Sequence, residues 1–179
     1  MVGLLALLAA VVEDTPASWS AVYLRADLGA PPGIAGLAFA AFTAAMTLGR
    51  LAGDRAVERA GPVRTTRAGV SIAAAGLAGA LVIGTPVAGI AGFALLGLGM
   101  ATVFPLAFSA AGHLPGQRSG QAIGLVSLVA RFGVLLGAPV IGGIADLVGL
   151  PVALGVAVAA ALGVVALAGY LTPAGNSAG

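Results

Sequence analysis

The chain contains no cysteine, only one histidine and few charges: 8% of its 179 residues. Without cysteine there are no disulfides and no thiolate metal sites. A lone His113 cannot make a histidine metal centre. No metal, cofactor or redox site is read in this sequence. Lysine is absent too, so all eight basic residues are arginines, set against six acids for a net charge of +2. Those arginines gather mostly in one stretch, and no nucleic-acid surface is implied. No phosphate-binding loop of the Walker type, metal cluster or catalytic triad is present, so the chain is not read as an enzyme. A soluble domain carries about 25% charged residues. A chain with a third of that share cannot cover itself with a water-facing surface, and the solvent around it is read as lipid.

What is abundant agrees. Apolar residues make up 60% of the chain, and the mean hydropathy is +1.11. A bilayer core is about 30 Å thick and takes about 20 apolar residues as a helix. Six such spans are expected, at roughly 3–24, 33–53, 68–84, 87–110, 120–143 and 151–171, with 172–179 as a tail. The run from Ala68 to Gly112 has no charge and is too long for one span, and Gly84-Thr85-Pro86 divides it. Backbone in lipid must bond to itself, so the spans are helices. The short alternating strands of a membrane barrel are missing. The first basic residue is Arg25, too late for the basic region of a secretory signal, so the N-terminal apolar run reads as the first span. The 29 glycines suit close helix packing in lipid, and Gly133 and Gly137 of the fifth span have the spacing for it.

Arginine asymmetry predicts orientation. Arg50, Arg55, Arg59, Arg64 and Arg67 surround the connection between spans two and three, with Arg118 on the same side and Arg25 opposite. The arginine-rich side is therefore expected to be cytoplasmic, as are both termini of this six-span chain. Trp19 and Tyr23 are expected in an interfacial belt. Met100, Phe104, Pro105 and Phe108 form a stripe at helical spacing, read as packing, with the lining of a cavity as the alternative.

Three charges fall inside spans. Glu13 and Asp14 lie mid-way along the first and Arg131 near the middle of the fifth. Each costs about 2.5–3.5 kcal/mol at a helix centre, so they are expected to face a cavity or one another. Glu13 shares a helix face with Ala17 and Ser20, and Asp14 with Ser18. Pro16 removes a helical hydrogen bond and is expected to open the helix locally. These residues are candidates for solute contact or proton coupling. An ion pair of Glu13 or Asp14 with Arg131 is the structural alternative.

The segment Gly49-Arg50-Leu51-Ala52-Gly53-Asp54-Arg55, continuing through Glu58 and Arg59 to Gly61-Pro62, resembles the signature loop of the major facilitator superfamily. That family carries the loop between spans two and three and an echo between spans eight and nine. Here Gly53 is one extra residue before the Asp, and the interval to Gly61 is longer, as in the second copy. Gly133, Gly137, Pro139, Gly142 and Gly143 of the fifth span are similar to a second glycine–proline pattern of the family, with Ala138 inserted. The wording from Trp19 to Arg55 is similar to a group of bacterial inner-membrane permeases. The resemblance implies one half of a twelve-span transporter, its C-terminal half, built as a three-plus-three inverted repeat. It implies Gly49, Arg50, Asp54, Arg55, Arg59 and Gly61 as a gating loop, and a cavity lined by the first and fourth spans. The start at Met1 without a polar lead fits a piece of a longer protein or a split gene.

Two readings of function follow. One is secondary transport of a small solute across the inner membrane, driven by protons or ions and shared with a second six-helix half. The other is a half-length fragment or six-span scaffold that moves nothing without such a partner.

Overall fold

Apolar runs of this length close into helices because lipid supplies no competing hydrogen bonds. The computed structural model describes residues 1–113 and 119–171, and these fold into six long helices with no strand among the described residues. They are α1 (Val2–Asp27), α2 (Pro32–Ala60), α3 (Pro62–Ile83), α4 (Pro86–Gly112), α5 (Ser119–Val148) and α6 (Leu150–Leu171). Arg118 and the tail at 172–179 lie outside the described residues. At about 1.5 Å per residue all six are long enough to cross a bilayer, and the chain is an all-α, multi-pass membrane protein.

Proline and glycine set the boundaries. Pro32, Pro62, Pro86 and Pro151 open α2, α3, α4 and α6 within their first two positions, where a missing N–H costs nothing. Gly61 (φ 80°, ψ 161°) ends α2 and Gly149 (φ 88°, ψ 152°) ends α5, conformations closed to residues with a Cβ. Gly61 N–H donates to Val57 O and Gly149 N–H to Ala145 O, each at 2.8 Å. The helix of α2 outruns its apolar stretch, because Ala56 to Ala60 are good helix formers despite their charges.

Two local irregularities matter. A π turn at Tyr23–Asp27 closes α1, and α4 is interrupted by a turn at Ala101–Thr102. The opening expected at Pro16 is absent: α1 stays α-helical from Val2 to Val22. One lost hydrogen bond does not part a helix that is packed around a buried proline. The Thr15 hydroxyl also donates to the Val11 carbonyl at 2.7 Å.

The interior is made of small side chains and the exterior of large ones. Ala6, Ala9, Ala73, Ala107, Ala157 and Ala161 are fully buried, whereas Val82 is 88% and Leu135 66% exposed. Lipid removes the penalty on exposed apolar surface, so close backbone approach drives association. Close glycine contacts join both sequence neighbours and helices distant in the chain. α5 runs parallel to α1: a Cβ added at Gly133 would strike the Leu7 carbonyl oxygen, and one at Gly137 would meet Val11 Cα at 3.5 Å. α2 runs parallel to α4: a Cβ at Gly49 would lie 2.7 Å from Ala101 Cβ, and one at Gly53 2.5 Å from Thr102 Cγ2. α3 packs antiparallel to α4 through Gly69 against Gly99 and Gly76 against Leu95. α6 meets α1 where Gly163 faces Leu8. Tyr23 is turned into the bundle, 1% exposed, on the same face of α1 as buried Pro16 and Ser20. Trp19 is half-buried with its ring over Gly142.

Candidate functional site

The charged residues of α2 and the middle of α1 come to one depth. Gly89 of α4 faces Leu24 and Leu28 of α1, and Gly49 of α2 faces Leu98 and Ala101 of α4. Counting along antiparallel α1 and α4 from that contact puts Ala101, and with it Arg50, about level with Glu13 and Asp14. Arg50 is thereby the charge of α2 nearest in depth to Glu13.

Glu13 is half-buried, and its Oε1 is buried with no hydrogen-bond partner. Ser20 Oγ, two turns on along the same face, and Trp19 Nε1 are buried without partners as well. Buried polar atoms are normally satisfied, and each orphan calls for an explanation such as a bound water, ion or proton. Asp14 lies on the neighbouring face and accepts a 3.0 Å hydrogen bond from Ser18 Oγ. Its charge is thus satisfied within α1, unlike that of Glu13.

Arg131 is not brought to either acid. Val129 meets Gly3 and Gly133 meets Leu7, so Arg131 is level with about Leu5, roughly 12 Å along the axis from Glu13. Its side chain is exposed beside the buried stripe of Ala130, Gly133 and Gly137. The parallel register of α1 and α5, which no local pattern reveals, therefore disfavours the Glu13–Arg131 pairing.

The signature segment is helical, not a loop. Gly49 and Gly53 are buried against α4. Arg50 and Asp54, each one residue further on, turn about 100° away and stay exposed. Arg55 and Arg59 are exposed near the helix end, and Gly61 makes the turn into α3. Thr65 Oγ1 donates back across that turn to the Ala56 carbonyl at 3.1 Å.

Between α2 and α4 lies a cleft of about 510 Å³, lined on one wall by Arg50, Asp54 and Glu58 and on the other by Thr102 and Pro105. Pro105 of the fourth-span stripe lines this cleft, the cavity alternative for that residue, while Glu58 and Thr102 carry no signal of it in the sequence. Pro105 has no N–H to give to the Ala101 carbonyl, which is the signal that α4 is weakened there. Of the rest of that stripe, Met100 is fully buried, and Phe104 and Phe108 stack with centroids 5.8 Å apart. Of the fifth-span residues, Gly142 sits under Trp19 while Pro139 lies exposed within α5. Among the described residues no cluster of acids and histidine could hold a metal ion.

Six apolar helices, each long enough to cross a bilayer, define a multi-pass membrane protein. The family model of the Major Facilitator Superfamily matches residues 2–178, and the chain belongs to that superfamily. It is 36% identical over 171 residues to an uncharacterised MFS-type transporter of Yersinia pestis, covering 96% of this chain and 44% of that protein. It is 37% identical over 154 residues to the membrane protein MosC of Rhizobium meliloti, covering 86% and 38%. An uncharacterised transporter of Sinorhizobium fredii is 37% identical over 146 residues, covering 82% and 39%. The chain spans less than half the length of the curated relatives it matches.

Proposed function

We propose that the chain is one six-helix half of a secondary transporter for a small solute, with Glu13 as its coupling carboxylate. The observation that carries this is an unpartnered, buried carboxyl oxygen in the middle of a membrane span, level with Arg50 of the family's signature segment. Ionisable groups at such depth are expensive and are kept for moving charge or binding solute. Asp14 beside Glu13, and Arg131 roughly 12 Å along the axis, are proposed as separate solute contacts. Asp54, with Arg50, Arg55 and Arg59, is the gating element, and a carboxylate at this helix end can hold the N-terminus of a helix from the second half.

The partial cover of the relatives supports a requirement for that second half, in the same or a separate chain. The outward apolar face of α5 (Leu128 53%, Phe132 49% and Leu135 66% exposed) supports contact with lipid or with that half. The membrane is proposed to be the inner membrane, with the arginine-rich end and both termini cytoplasmic. The matched turns at Gly61 and Gly149 favour an inverted repeat of α1–α3 on α4–α6.

Reconstitution tests the proposal. The chain co-expressed with a second half in proteoliposomes, under an imposed pH gradient, is expected to move a solute with counter-movement of protons read by an internal dye. Glu13→Gln is expected to abolish the proton movement and flatten the pH dependence. Unchanged proton coupling in that variant would remove Glu13 from the role. Absence of flux for every solute, with the partner half present, would leave the scaffold reading.

A further inference from the structure

The cleft between α2 and α4 is larger than packing requires. At about 30 Å³ per water it has room for well over ten waters. Its walls carry Arg50, Asp54, Glu58 and the Thr102 hydroxyl, at the one place where α4 is interrupted and Pro105 withholds an N–H. Helices packed in lipid do not leave such a volume dry beside three charged groups. The cleft begins toward the arginine-rich end, at exposed Glu58, and ends inward at Arg50. Arg50 lies at the depth of Glu13, whose Oε1 is buried and lacks a partner. Along α2 the interval from Glu58 to Arg50 is about 12 Å, close to half the thickness of the hydrocarbon core.

We infer that this cleft is a water-filled branch from the arginine-rich end to the depth of Glu13, with Arg50 at its inner end and Thr102 at its waist. Both its walls, α2 and α4, belong to one six-helix half, and among the described residues none of α1 lines it, so the step from the cleft to Glu13 passes Arg50. The charged groups bordering it are Arg50, Asp54 and Glu58 from α2, while α4 offers only Thr102 from its side. Asp14 on α1 is held by Ser18, leaving Glu13 as the acid that the branch would serve. The inference rests on the reading of Glu13 as the coupling carboxylate, but it makes a claim about access that needs no transport to check.

The natural absence of cysteine makes that check direct. Glu13→Cys, Glu58→Cys and Thr102→Cys are made singly in the full chain. They are exposed in sealed vesicles of known sidedness to a charged, membrane-impermeant methanethiosulfonate reagent. All three are expected to react from the arginine-rich side, fastest at position 58 and slowest at 13. Adding Thr102→Trp to the Glu13→Cys protein is expected to slow reaction at position 13 at least tenfold without changing that at position 58. Should Glu13→Cys fail to fold, the unsubstituted chain is treated from the same side with a water-soluble carbodiimide and an amine tag. Tagging of Glu13, read by mass spectrometry, should then drop by the same factor in Thr102→Trp. Reaction at position 13 only from the opposite side, or at an undiminished rate with Trp at 102, overturns the branch. Access that persists in a chain whose Glu13→Gln variant keeps its coupling would keep the branch and overturn the coupling role instead.

Discussion

The end of α2 on α4 and the end of α5 on α1 are two versions of one backbone device. Each long helix presents a buried glycine to a parallel, non-neighbouring helix: Gly49 to α4 and Gly137 to α1. Twelve residues later each makes a turn with φ near 80–90° and ψ near 150–160°, at Gly61 and Gly149. In both turns the next helix bonds back to the glycine carbonyl at 3.1 Å, from Thr65 N–H and Ala153 N–H. The acids Glu58 and Asp146 even fall at the same place, three residues before the turn. The difference is charge. Where α2 has Arg50, Asp54, Arg55 and Arg59, α5 has Ala138, Gly142, Gly143 and Leu147. Glycine contacts and a glycine turn build the α5 end with Asp146 as its one charge, so that backbone device does not itself require Arg50, Asp54, Arg55 and Arg59 of α2.

Substitutions break or sharpen that comparison. The largest effect is expected where a glycine of each long helix faces a backbone carbonyl of its partner, which is Gly49 on α2 but on α5 is Gly133, one turn before the counterpart Gly137. Gly49→Leu and Gly133→Leu each force a side chain against a backbone carbonyl, at Leu98 and Leu7. Each is expected to cost about 3 kcal/mol, visible as lost monodisperse protein and a lowered melting temperature in detergent. A mild effect at one end alone would end the equivalence. Gly61→Ala and Gly149→Ala come next. A Cβ at these φ values is strained by about 1–2 kcal/mol, and the two variants are expected to melt within a degree or two of each other. Asp54→Asn should then separate the ends. Flux is expected to fall about tenfold, equivalent to about 1.4 kcal/mol, with the melting temperature held, while Asp146→Asn changes flux less than twofold. Equal losses would mean that the charge of α2 has no special role. The smallest effect is expected from Thr65→Ala, which removes the bond to Ala56 and gives the first turn the residue found at Ala153 in the second. About 0.5 kcal/mol is expected from an exposed hydrogen bond, measured by the same melts.

The helices themselves were legible because a bilayer imposes a length on apolar runs, and Gly84-Thr85-Pro86 and Gly149-Leu150-Pro151 announce their breaks. The signature from Gly49 to Gly61 carried the family. Its helical conformation was not legible, since polar Ala-Val-Glu-Arg-Ala continues a helix as readily as it forms a loop. Helix partners were hidden for a different reason. α4 and α6 are apolar all round, so no face distinguishes itself and sequence periodicity cannot say that α1 seeks α5. That register decided where Arg131 lies relative to Glu13. The cleft was hidden as well, because Thr102 and Pro105 become a wall only once α2 is laid beside them. Tyr23 was misplaced because it falls on the α-helical face of Pro16 and Ser20, and nothing in so apolar a sequence marks that face as the buried one.

Parallel pairing of α1 with α5 also fixes an order of events during synthesis. The surface that Gly133 and Gly137 offer to Leu7 and Val11 is translated 126 residues after those two residues themselves. At about 5–20 residues per second, that is a wait on the order of ten seconds. Through that interval α1 carries Glu13 and Asp14 with its glycine-packing face uncovered, so the insertion machinery or an earlier part of a longer polypeptide must shelter it until α5 arrives.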